Sequence, residues 1–546
     1  MDATVDGVVL VKLALTNIAG YVLDTENLSV TRASSDRLDR LAREAAAALA
    51  GGEVIYAAGS EVLVYFDDLA DPAEAVRRVA ESFASVAEDA PLVTAVCEGV
   101  SRREGEDLDD ALARLDNLLR RAQMAQCSVV PGRLTGSGEC TLDGVRPADE
   151  TAWVGDRTRP VSAHTKRRLQ EGRPGRRRRA EAIFGGDGGP ERGGSADAAA
   201  EQATHRLDES LEGLGRFSPP GVMAGKMCVL QVDGNRFGAY RARLDDAGAW
   251  RVLTDLVETA MTASMRYALG DLWRRAGEMD ALPVHILYCA GDEFRVIVPA
   301  TAGVAAAGRI LEAFSGQFAA ALADVSDAAM RERLAGALEG ESLTLAVGAV
   351  FCDLHEPITS ATSAAGWLNE SAKSLIRTVA DARSPEAGNV VDFMVVESGM
   401  IPASLRGYRE ANLRRPASPG AASPDGPRGM LRGPLSSVAF AGLVEDVRVL
   451  RRAGFPTGRA AALATLLLHE ARDDQVEATA WELFERVEWP VLEDRLDGDR
   501  DALARLRGLR PSAQAECRPG SPVLDPWLAR REIWDYVDDQ GGGSHE

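Results

Sequence analysis

Runs of apolar residues alternate with amphipathic stretches along the first 130 residues of this 546-residue chain. The run "GVVLVKLAL" predicts a buried strand, and "EVIYAAGSEVLVYF" predicts a hairpin. Helical periodicity covers residues 34–50, 73–87 and 108–125, and further strands are predicted in "APLVTAVCEGV" and in the short "CSVVPG". The resulting β-α-β-β-α-β order predicts a ferredoxin-like, split βαβ domain over residues 1–130.

The same pattern returns in residues 221–400. Strands are predicted in "MCVLQVDGNRFGAY", "PVHILYCAGDEFRVIVPA", "SLTLAVGAVFC" and "NVVDFMVV", with helices over residues 249–276, 301–324 and 363–382. The hairpins "IYAAGSEVLVYF" and "LYCAGDEFRVIV" match position for position. The chain is therefore predicted to carry two copies of one fold.

The remaining segments differ in texture. Residues 131–220 are predicted to be an irregular insertion, with a disordered basic and Gly-rich stretch around "GRPGRRRRAEAIFGGDGGPERGGSADAAA". Residues 401–435 are rich in Pro, Gly and Ser and are predicted to be a linker, and residues 436–546 a helical domain. The predicted fold class is α+β, with two ferredoxin-like domains and a C-terminal helical domain.

Composition narrows the classes of function. The net charge of −21 argues against bulk attraction of the whole chain to nucleic acid. No apolar run approaches the roughly 18 residues needed to cross a bilayer, so no membrane partner and a cytoplasmic location are expected. The seven cysteines are scattered without a CxxC motif, which indicates neither a disulfide framework nor a self-sufficient zinc site.

Three carboxylates carry the candidate chemistry of the second copy. Asp233 ends its first strand, and Asp292 and Glu293 lie on the turn of the hairpin predicted to pair with that strand. Clustered hard oxygen ligands suit Mg²⁺ or Mn²⁺ together with substrate phosphates. Glycines in both turns leave room for a phosphate or a base. Taken singly, Asp233 also fits an ordinary Asp-Gly turn, and the other two acids fit a solvated hairpin tip.

The motifs "VDGNRFG" and, some fifty residues later, "AGDEF" resemble the palm domain of GGDEF nucleotide cyclases. The wider pattern resembles the large, two-palm subunit of type III CRISPR effector complexes and its free-standing relatives. This resemblance covers about residues 1–410, and it also rests on residues 17–42, on residues 140–168, and on "SAKSLIR" and "NVVDFMVVES" in the second copy.

The resemblance implies a metal-dependent nucleotidyltransferase in antiviral defence. In that reaction the 3′-hydroxyl of one ATP attacks the α-phosphate of another, pyrophosphate leaves, and cyclic oligoadenylates form on two Mg²⁺ or Mn²⁺ ions. By the same resemblance, Asp233 and Glu293 are metal ligands and Asp292 is a ligand or its support. The implied nucleotide-binding residues are Gly234, Asn235, Gly238, Gly291 and Lys373.

Several positions depart from the family pattern. The usual turn of two glycines and two aspartates is Ala290 to Glu293 here, and Asn235 stands where relatives often carry a second acid. Of the family's zinc-binding cysteines only Cys140 is present, so zinc is not expected. None of the six histidines is followed by Asp, so the family's HD nuclease domain, and DNA cleavage by it, are not expected.

The first copy departs further from the pattern. Aligning Gly20 with Gly238 places Leu15 at the position of Asp233, and the hairpin turn reads Gly59, Ser60, Glu61. One acid remains of three, which is too few for the same metal site. The first copy is therefore predicted to be a degenerate palm.

Three hypotheses of function stay open at this point. The first is an ATP-cyclising or oligomerising enzyme of CRISPR-linked defence, switched on by RNA in a larger assembly. The second is a weakly active or inactive scaffold subunit of an RNA-guided effector complex. The third is a stand-alone cyclic dinucleotide synthase. The implied partners are a nucleoside triphosphate and, for the assemblies, guide RNA, target RNA and other subunits.

Overall fold

The structure is a computed structural model. It describes residues 4–48, 51–86, 94–125, 138–184, 211–218, 223–279, 283–377, 385–412, 433–469, 489–507 and 526–537, apart from positions 17, 23, 59, 68, 70, 145, 155–156, 216, 398–399 and 497–498.

The first part of the chain forms a four-stranded sheet with helices on both faces. Its elements are β1 (Thr4–Thr16), α1 (Ile18–Val22), α2 (Leu28–Ala48), β2 (Glu53–Ala58), β3 (Glu61–Phe66), α3 (Pro72–Val86), β4 (Thr94–Arg103) and α4 (Leu108–Ala125). The strand order of this N-terminal sheet, β2-β3-β1-β4, is that of a split βαβ fold. Over residues 8–15, strand β1 is apolar on both faces except at Lys12, because the faces line two different cores, Val9 and Val11 one and Leu10 the other.

Most of the elements predicted for this part are confirmed. Helix α2 begins at Leu28, six residues before the predicted start, because the Asn27 side chain caps it: the backbone N–H groups of Ser29 and Val30 donate to Asn27 Oδ1 at 3.1 and 3.2 Å. The last strand predicted, in "CSVVPG", lies outside the described residues.

The segment after α4 is more regular than predicted. It contains a hairpin of β5 (Glu150–Val154) and β6 (Arg157–Val161), followed by α5 (Ala163–Phe184). Helix α5 runs through the "GRPGRRRR" stretch that was predicted to be irregular and disordered. The reason is packing: a Cβ at Gly175 would lie 3.0 Å from Asp36 Oδ2 of α2, so glycine lets the two helices approach closely.

A six-stranded sheet follows, with order β12-β11-β10-β7-β9-β8. Its elements and the intervening helices are α6 (Glu212–Gly215), β7 (Lys226–Asn235), α7 (Phe237–Arg241), α8 (Ala247–Met279), β8 (His285–Ala290), β9 (Glu293–Pro299), α9 (Ala300–Ala323), α10 (Ala328–Leu338), β10 (Thr344–Asp353), α11 (Ile358–Ile376), α12 (Pro385–Gly388), β11 (Val390–Val395) and β12 (Leu435–Ser436). The four strands β10-β7-β9-β8 repeat the order of the N-terminal sheet. Helix α10 was not predicted.

The two hairpins share an irregularity as well as a sequence pattern. Pairing of β2 with β3 shifts between Val54 and Tyr56, and pairing of β8 with β9 shifts between Ile286 and Tyr288. Bulges of this kind are retained within protein families, so the same bulge at the same position is expected of two copies of one fold. They support the internal duplication inferred from sequence.

Strand register corrects the alignment of the two copies by one residue. Asp233 pairs with Glu293 across β7 and β9, and Ala14 pairs with Glu61 across β1 and β3. The structural counterpart of Asp233 is therefore Ala14 and not Leu15. A one-residue shift exchanges the faces of a strand, so the correction decides which side chains of β1 are comparable with the site.

The rest of the chain adds helices to the C-terminal sheet. They are α13 (Leu405–Asn412), α14 (Ser437–Arg452), α15 (Thr457–His469), α16 (Trp489–Arg495), α17 (Arg500–Arg507) and α18 (Pro526–Ile533), the last followed by a 3₁₀ turn (Trp534–Tyr536). Helix α13 falls in the predicted linker, where the Arg409 guanidinium donates to the buried carboxylate of Asp392 and to Ser371. The helical prediction for the C-terminal part is confirmed where that part is described.

The N-terminal sheet and its helices pack against helix α8 of the second copy, and two ion pairs join them. Arg43 of α2 pairs with Glu258 of α8 at 3.0 Å, and Arg251 of α8 pairs with Glu53 of β2 at 3.0 Å. None of the helices in the described part of the chain is sufficiently long and apolar to span a membrane.

Candidate functional site

The predicted site lies where β7 ends beside the β8–β9 turn. Asp233 and Glu293 are direct partners in the antiparallel pairing of β7 with β9. Side chains of directly paired residues lie on the same face, with Cβ atoms about 4.5–5.5 Å apart. Asp292 occupies the turn, and its carboxylate lies over the backbone of Gly234. The structure thus brings all three acids to one edge of the sheet.

The turn itself depends on Gly291. Its φ of 58° is in the left-handed region, and Asp292 is not among the non-glycine residues with positive φ. A two-residue hairpin loop with positive φ at its first position is the type II′ pattern, for which glycine is preferred. A Cβ at Gly291 would meet nothing within 4 Å, so the open space predicted beside this glycine is present.

Gly234 has a different role from the one predicted. A Cβ at this position would collide with the ring of Phe237 and would lie 2.6 Å from Asp292 Oδ2. The space is therefore filled by a side chain of α7 and is not open to a phosphate. Phe237 in turn packs edge-on against Phe314 of α9. Gly234 lets Asp292 and the aromatic ring come close to the end of β7.

Lys373 reaches the site from α11 and forms an ion pair with Asp233. The sequence pattern implied a contact to a triphosphate, and the structure places the ammonium on a carboxylate of the site itself. Burial raises the pKa of Asp233, and the hydrogen bond from Lys373 opposes that rise without cancelling it. Asp233 is thus a partly buried acid held by one cation.

Asp292 has the most perturbed acidity of the three acids. Burial, and then the nearby charge of Asp233, raise the pKa of Asp292 to about 6. Two acids that repel each other at a buried edge favour either a proton or a cation. This is the electrostatic condition expected of a cation site.

Glu293 is held by residues that sequence reasoning missed. Its carboxylate accepts a hydrogen bond from the Gln231 amide, and the Gln231 carbonyl oxygen accepts one from Arg295. Burial and Asp233 raise the pKa of Glu293. The available signal was a polar residue two positions before Asp233 and a basic residue two positions after Glu293, each inside an otherwise apolar strand.

Two predicted nucleotide-binding residues behave differently from each other. Asn235 is buried, and its Nδ2 donates to Thr344 Oγ1 at 3.3 Å and to the Gly388 carbonyl at 3.0 Å. Its amide nitrogen therefore joins the end of β7 to β10 and α12, and its role in nucleotide binding stays a prediction. Gly238 lies in the first turn of α7 with open space around it.

The three acids meet at the ends of β7 and β9, and their role as metal ligands stays a prediction. Among the residues that the structure describes, no group of three or more Asp, Glu, His or Cys side chains is arranged to hold a metal ion. Lys373 engages Asp233, and Gln231 engages Glu293. The donor chemistry still fits Mg²⁺ or Mn²⁺, because buried carboxylate oxygens whose charges repel are what a hard cation stabilises.

Comparison with known proteins adds to this geometry. No family model matches the chain, and no curated protein matches it. Among solved structures, the crystal structure of a Csm1-Csm4 cassette in complex with pppApApA matches at a TM-score of 0.53 and 13% identity, over 98% of this chain and 70% of that chain. The chain has the fold of Csm1.

Two further structures agree. The Csm1-Csm4 cassette in complex with cA4 and the Csm1-Csm4 subcomplex in the type III-A CRISPR-Csm interference complex each match at a TM-score of 0.51 and 13% identity, over 97% of this chain and 70% of the Csm1 chain. The resemblance first seen in sequence motifs is thus confirmed for the fold. At this identity the similarity to Csm1 establishes the fold alone.

Proposed function

We propose that the chain is a metal-dependent nucleotidyltransferase that joins ATP into cyclic oligoadenylate-type second messengers in CRISPR-linked defence. The observation that carries the proposal is the convergence of Asp233, Asp292 and Glu293 at one sheet edge within the fold of Csm1. The two sheets are then a degenerate first palm and a competent second palm, followed by the C-terminal helical domain.

The ligands of the structural neighbours support the substrate. Csm1-Csm4 cassettes have been crystallised with one ATP, with pppApApA, with cA3 and with cA4. These molecules correspond to a starting nucleotide, a linear intermediate and two cyclic products. ATP is therefore the nucleotide we assign to the edge beside Gly291, and other effector subunits are the partners we expect.

We assign a different role in the reaction to each residue of the site. Divalent ions held by Asp233 and Glu293, with Asp292 as a further ligand or its support, would screen the triphosphate and stabilise the attacking and leaving oxygens. Lys373 lies on Asp233, so it is placed to exchange that carboxylate for the triphosphate and to balance its charge. Gly291 keeps the turn free of side-chain atoms where the nucleotide approaches.

The test is pyrophosphate release from ATP with Mg²⁺ or Mn²⁺, with and without guide and target RNA. We expect the wild type to release pyrophosphate and to form adenylate oligomers, and the Asp292→Ala, Glu293→Ala double variant to fall to background. Glu61→Gln is the matched control, because Glu61 is the counterpart of Glu293 in the first copy and should be dispensable for chemistry. A double variant as active as the wild type would refute the assignment of the site.

One observation favours a second candidate, a scaffold subunit with little or no catalysis. Two of the three acids already have polar partners, Lys373 on Asp233 and Gln231 on Glu293. A site that keeps these pairs would bind nucleotide weakly. Wild-type protein that releases no pyrophosphate under any condition, yet copurifies with effector subunits and RNA, would favour the scaffold.

A further inference from the structure

A chain of three polar side chains crosses the β7–β9 pair next to the site. Gln231 and Arg295 are direct partners in the register, one step along the same face from the Asp233 and Glu293 pair. Arg295 donates to the Gln231 carbonyl oxygen, and the Gln231 amide nitrogen donates to Glu293. Gln231 is 3% exposed, so the middle of this hydrogen-bonded chain lies in the protein interior.

Burying an amide and a guanidinium in a sheet is costly unless both are satisfied. An apolar pair would stabilise β7 and β9 more simply, as the pairs Val229–Ile297 and Leu230–Val296 do. The direction of the hydrogen bonds gives the reason. Because Arg295 holds the carbonyl end of Gln231, the amide N–H end must face Glu293, and the Glu293 side chain is fixed through one defined contact.

The first copy shows what the alternative looks like. At the position of Gln231 it has Lys12, and at the position of Arg295 it has Leu63. The Lys12 ammonium binds Glu61 directly at 2.8 Å and Asp116 at 3.0 Å. The remaining acid of the first copy is thus bound directly by an ammonium group, whereas the hydrogen bond to Glu293 comes from a neutral amide and the charges of Arg295 and Lys373 act on it from nearby.

We propose that Gln231, fixed by Arg295, is a positioning residue that orients Glu293 for a divalent cation bound at the edge of β7 and β9. This inference rests on the proposed function and extends it to residues outside the three acids. Gln231 acts through Glu293 and does not itself contact the ion or the nucleotide. Groups that orient a metal-binding carboxylate typically affect metal affinity by about 10- to 100-fold.

The experiment measures Mn²⁺ binding by the full chain, followed by electron paramagnetic resonance of free Mn²⁺. Titrations are made with Mn²⁺ alone and in the presence of an ATP analogue with a methylene bridge between its α and β phosphorus atoms. We expect Gln231→Leu to weaken Mn²⁺ binding at least about tenfold. At saturating Mn²⁺, the KM for ATP should change less than about threefold, because Gln231 does not contact the nucleotide and its replacement leaves the direct contacts to ATP in place.

Two variants separate positioning from loss of structure. Arg295→Gln should weaken Mn²⁺ binding in the same direction, and the double variant should bind no more weakly than Gln231→Leu alone, because both act through one carboxylate. Asn369→Leu is the matched control. It also removes a buried side-chain amide next to β7: Asn369 lies on α11, and its Nδ2 donates to the backbone carbonyls of Gln231 at 3.3 Å and Ala346 at 2.8 Å, but it does not contact Glu293.

The outcomes distinguish the two proposals. Weakened Mn²⁺ binding in Gln231→Leu but not in Asn369→Leu supports the positioning role, even if no pyrophosphate is ever released. Unchanged Mn²⁺ binding in Gln231→Leu and in Arg295→Gln overturns the positioning role, even if the wild type is an active cyclase. Additive losses in the double variant also overturn it. Wild-type protein that binds no Mn²⁺ in either titration overturns both proposals.

Discussion

At the scale of single residues, Gly234 at the end of β7 and Gly238 in α7 differ in whether a side chain would fit. A Cβ at Gly234 would collide with Phe237 and approach Asp292, whereas a Cβ at Gly238 meets nothing within 4 Å. We expect Gly234→Ala to destabilise the protein by about 1–3 kcal/mol through overpacking. Gly238→Ala, inside α7, should be neutral or stabilising by up to about 1 kcal/mol.

Denaturant midpoints of the two variants check this prediction. Equal midpoints for Gly234→Ala and the wild type would show that Phe237 moves aside at no cost. In that case the space beside Gly234 would be available to a ligand after all.

Asp292 predicts a pH dependence of stability. Its pKa in the folded chain is raised to about 6 by burial and by Asp233, compared with about 3.9 for an unfolded aspartate. Between these values the folded state binds more protons than the unfolded state, so stability falls as the pH rises from about 4 to about 6. Asp292→Asn removes this contribution and should stabilise the chain at pH 7 by roughly 1–3 kcal/mol.

The measurement is the thermal midpoint of wild type and Asp292→Asn at pH 5 and at pH 7.5. The advantage of the variant should be larger at pH 7.5, where the wild-type carboxylate is ionised. Adding Mg²⁺ at pH 7.5 should reduce the advantage, because a bound cation compensates the same charge. An advantage that is the same at both pH values would contradict the assigned cause.

The sequence predicted which acids lie close together better than it predicted their side-chain contacts. Asp-Gly at a strand end and Asp-Glu in a hairpin turn identify residues that meet, because antiparallel pairing of the two strands follows from the pattern. Nothing in the sequence shows that Lys373 reaches Asp233 or that Gln231 turns towards Glu293. Those contacts depend on how α11 and the two strands pack, which is set by the tertiary structure.

At the scale of elements, a buried guanidinium joins helix α5 to α1 and to the loop that follows α1. Arg168 is 1% exposed and donates to both carboxylate oxygens of Asp24 at 3.0 and 2.9 Å, and to the Tyr21 carbonyl at 2.8 Å. Arg168→Met removes one of two cations that compensate the charge of Asp24. The other is Arg146, which binds the same carboxylate at 2.6 Å. We expect Arg168→Met to lower the free energy of unfolding by about 3 kcal/mol or more.

Lys166 provides the control on the same helix. It pairs with Glu150 at 2.5 Å, but both side chains are partly exposed, so Lys166→Ala should cost less than about 1 kcal/mol. Chemical denaturation measures both changes, and limited proteolysis shows whether α5 has become accessible. Equal effects of the two variants would mean that the buried contacts of Arg168 do not anchor the helix.

Elements were predictable where periodicity is local, and less so where packing decides. The alternation in both hairpins and the apolar runs in β1 and β7 placed the strands, and the periodicity of α4 gave its bounds. Helix α5 was missed because its Gly and Pro residues are typical of linkers, yet Gly172 and Gly175 serve its contact with α2. Propensity yields to tertiary contacts in such a case.

At the scale of the whole molecule, one continuous apolar core joins parts that the sequence separates into domains. The same cluster of buried side chains includes Leu10 and Leu63 of the N-terminal sheet, Trp250 of α8, and Trp534 at the end of the C-terminal helices. The reciprocal ion pairs between the two halves are largely exposed and contribute little. The halves are held together mainly by apolar burial.

This continuity predicts cooperative unfolding. Despite its length, the chain should show one calorimetric transition involving both sheets, because exposing either half uncovers the shared core. The ring of Phe184 in α5 stacks on the ring of Trp273 in α8, with 4.5 Å between the ring centroids. Phe184→Ala should lower the midpoint of that single transition and reduce the free energy of unfolding by about 3–5 kcal/mol. Arg251→Ala should leave the midpoint almost unchanged. Two separate transitions in the wild type would show that the halves fold independently and that their relative placement depends on the exposed ion pairs or on a ligand between them.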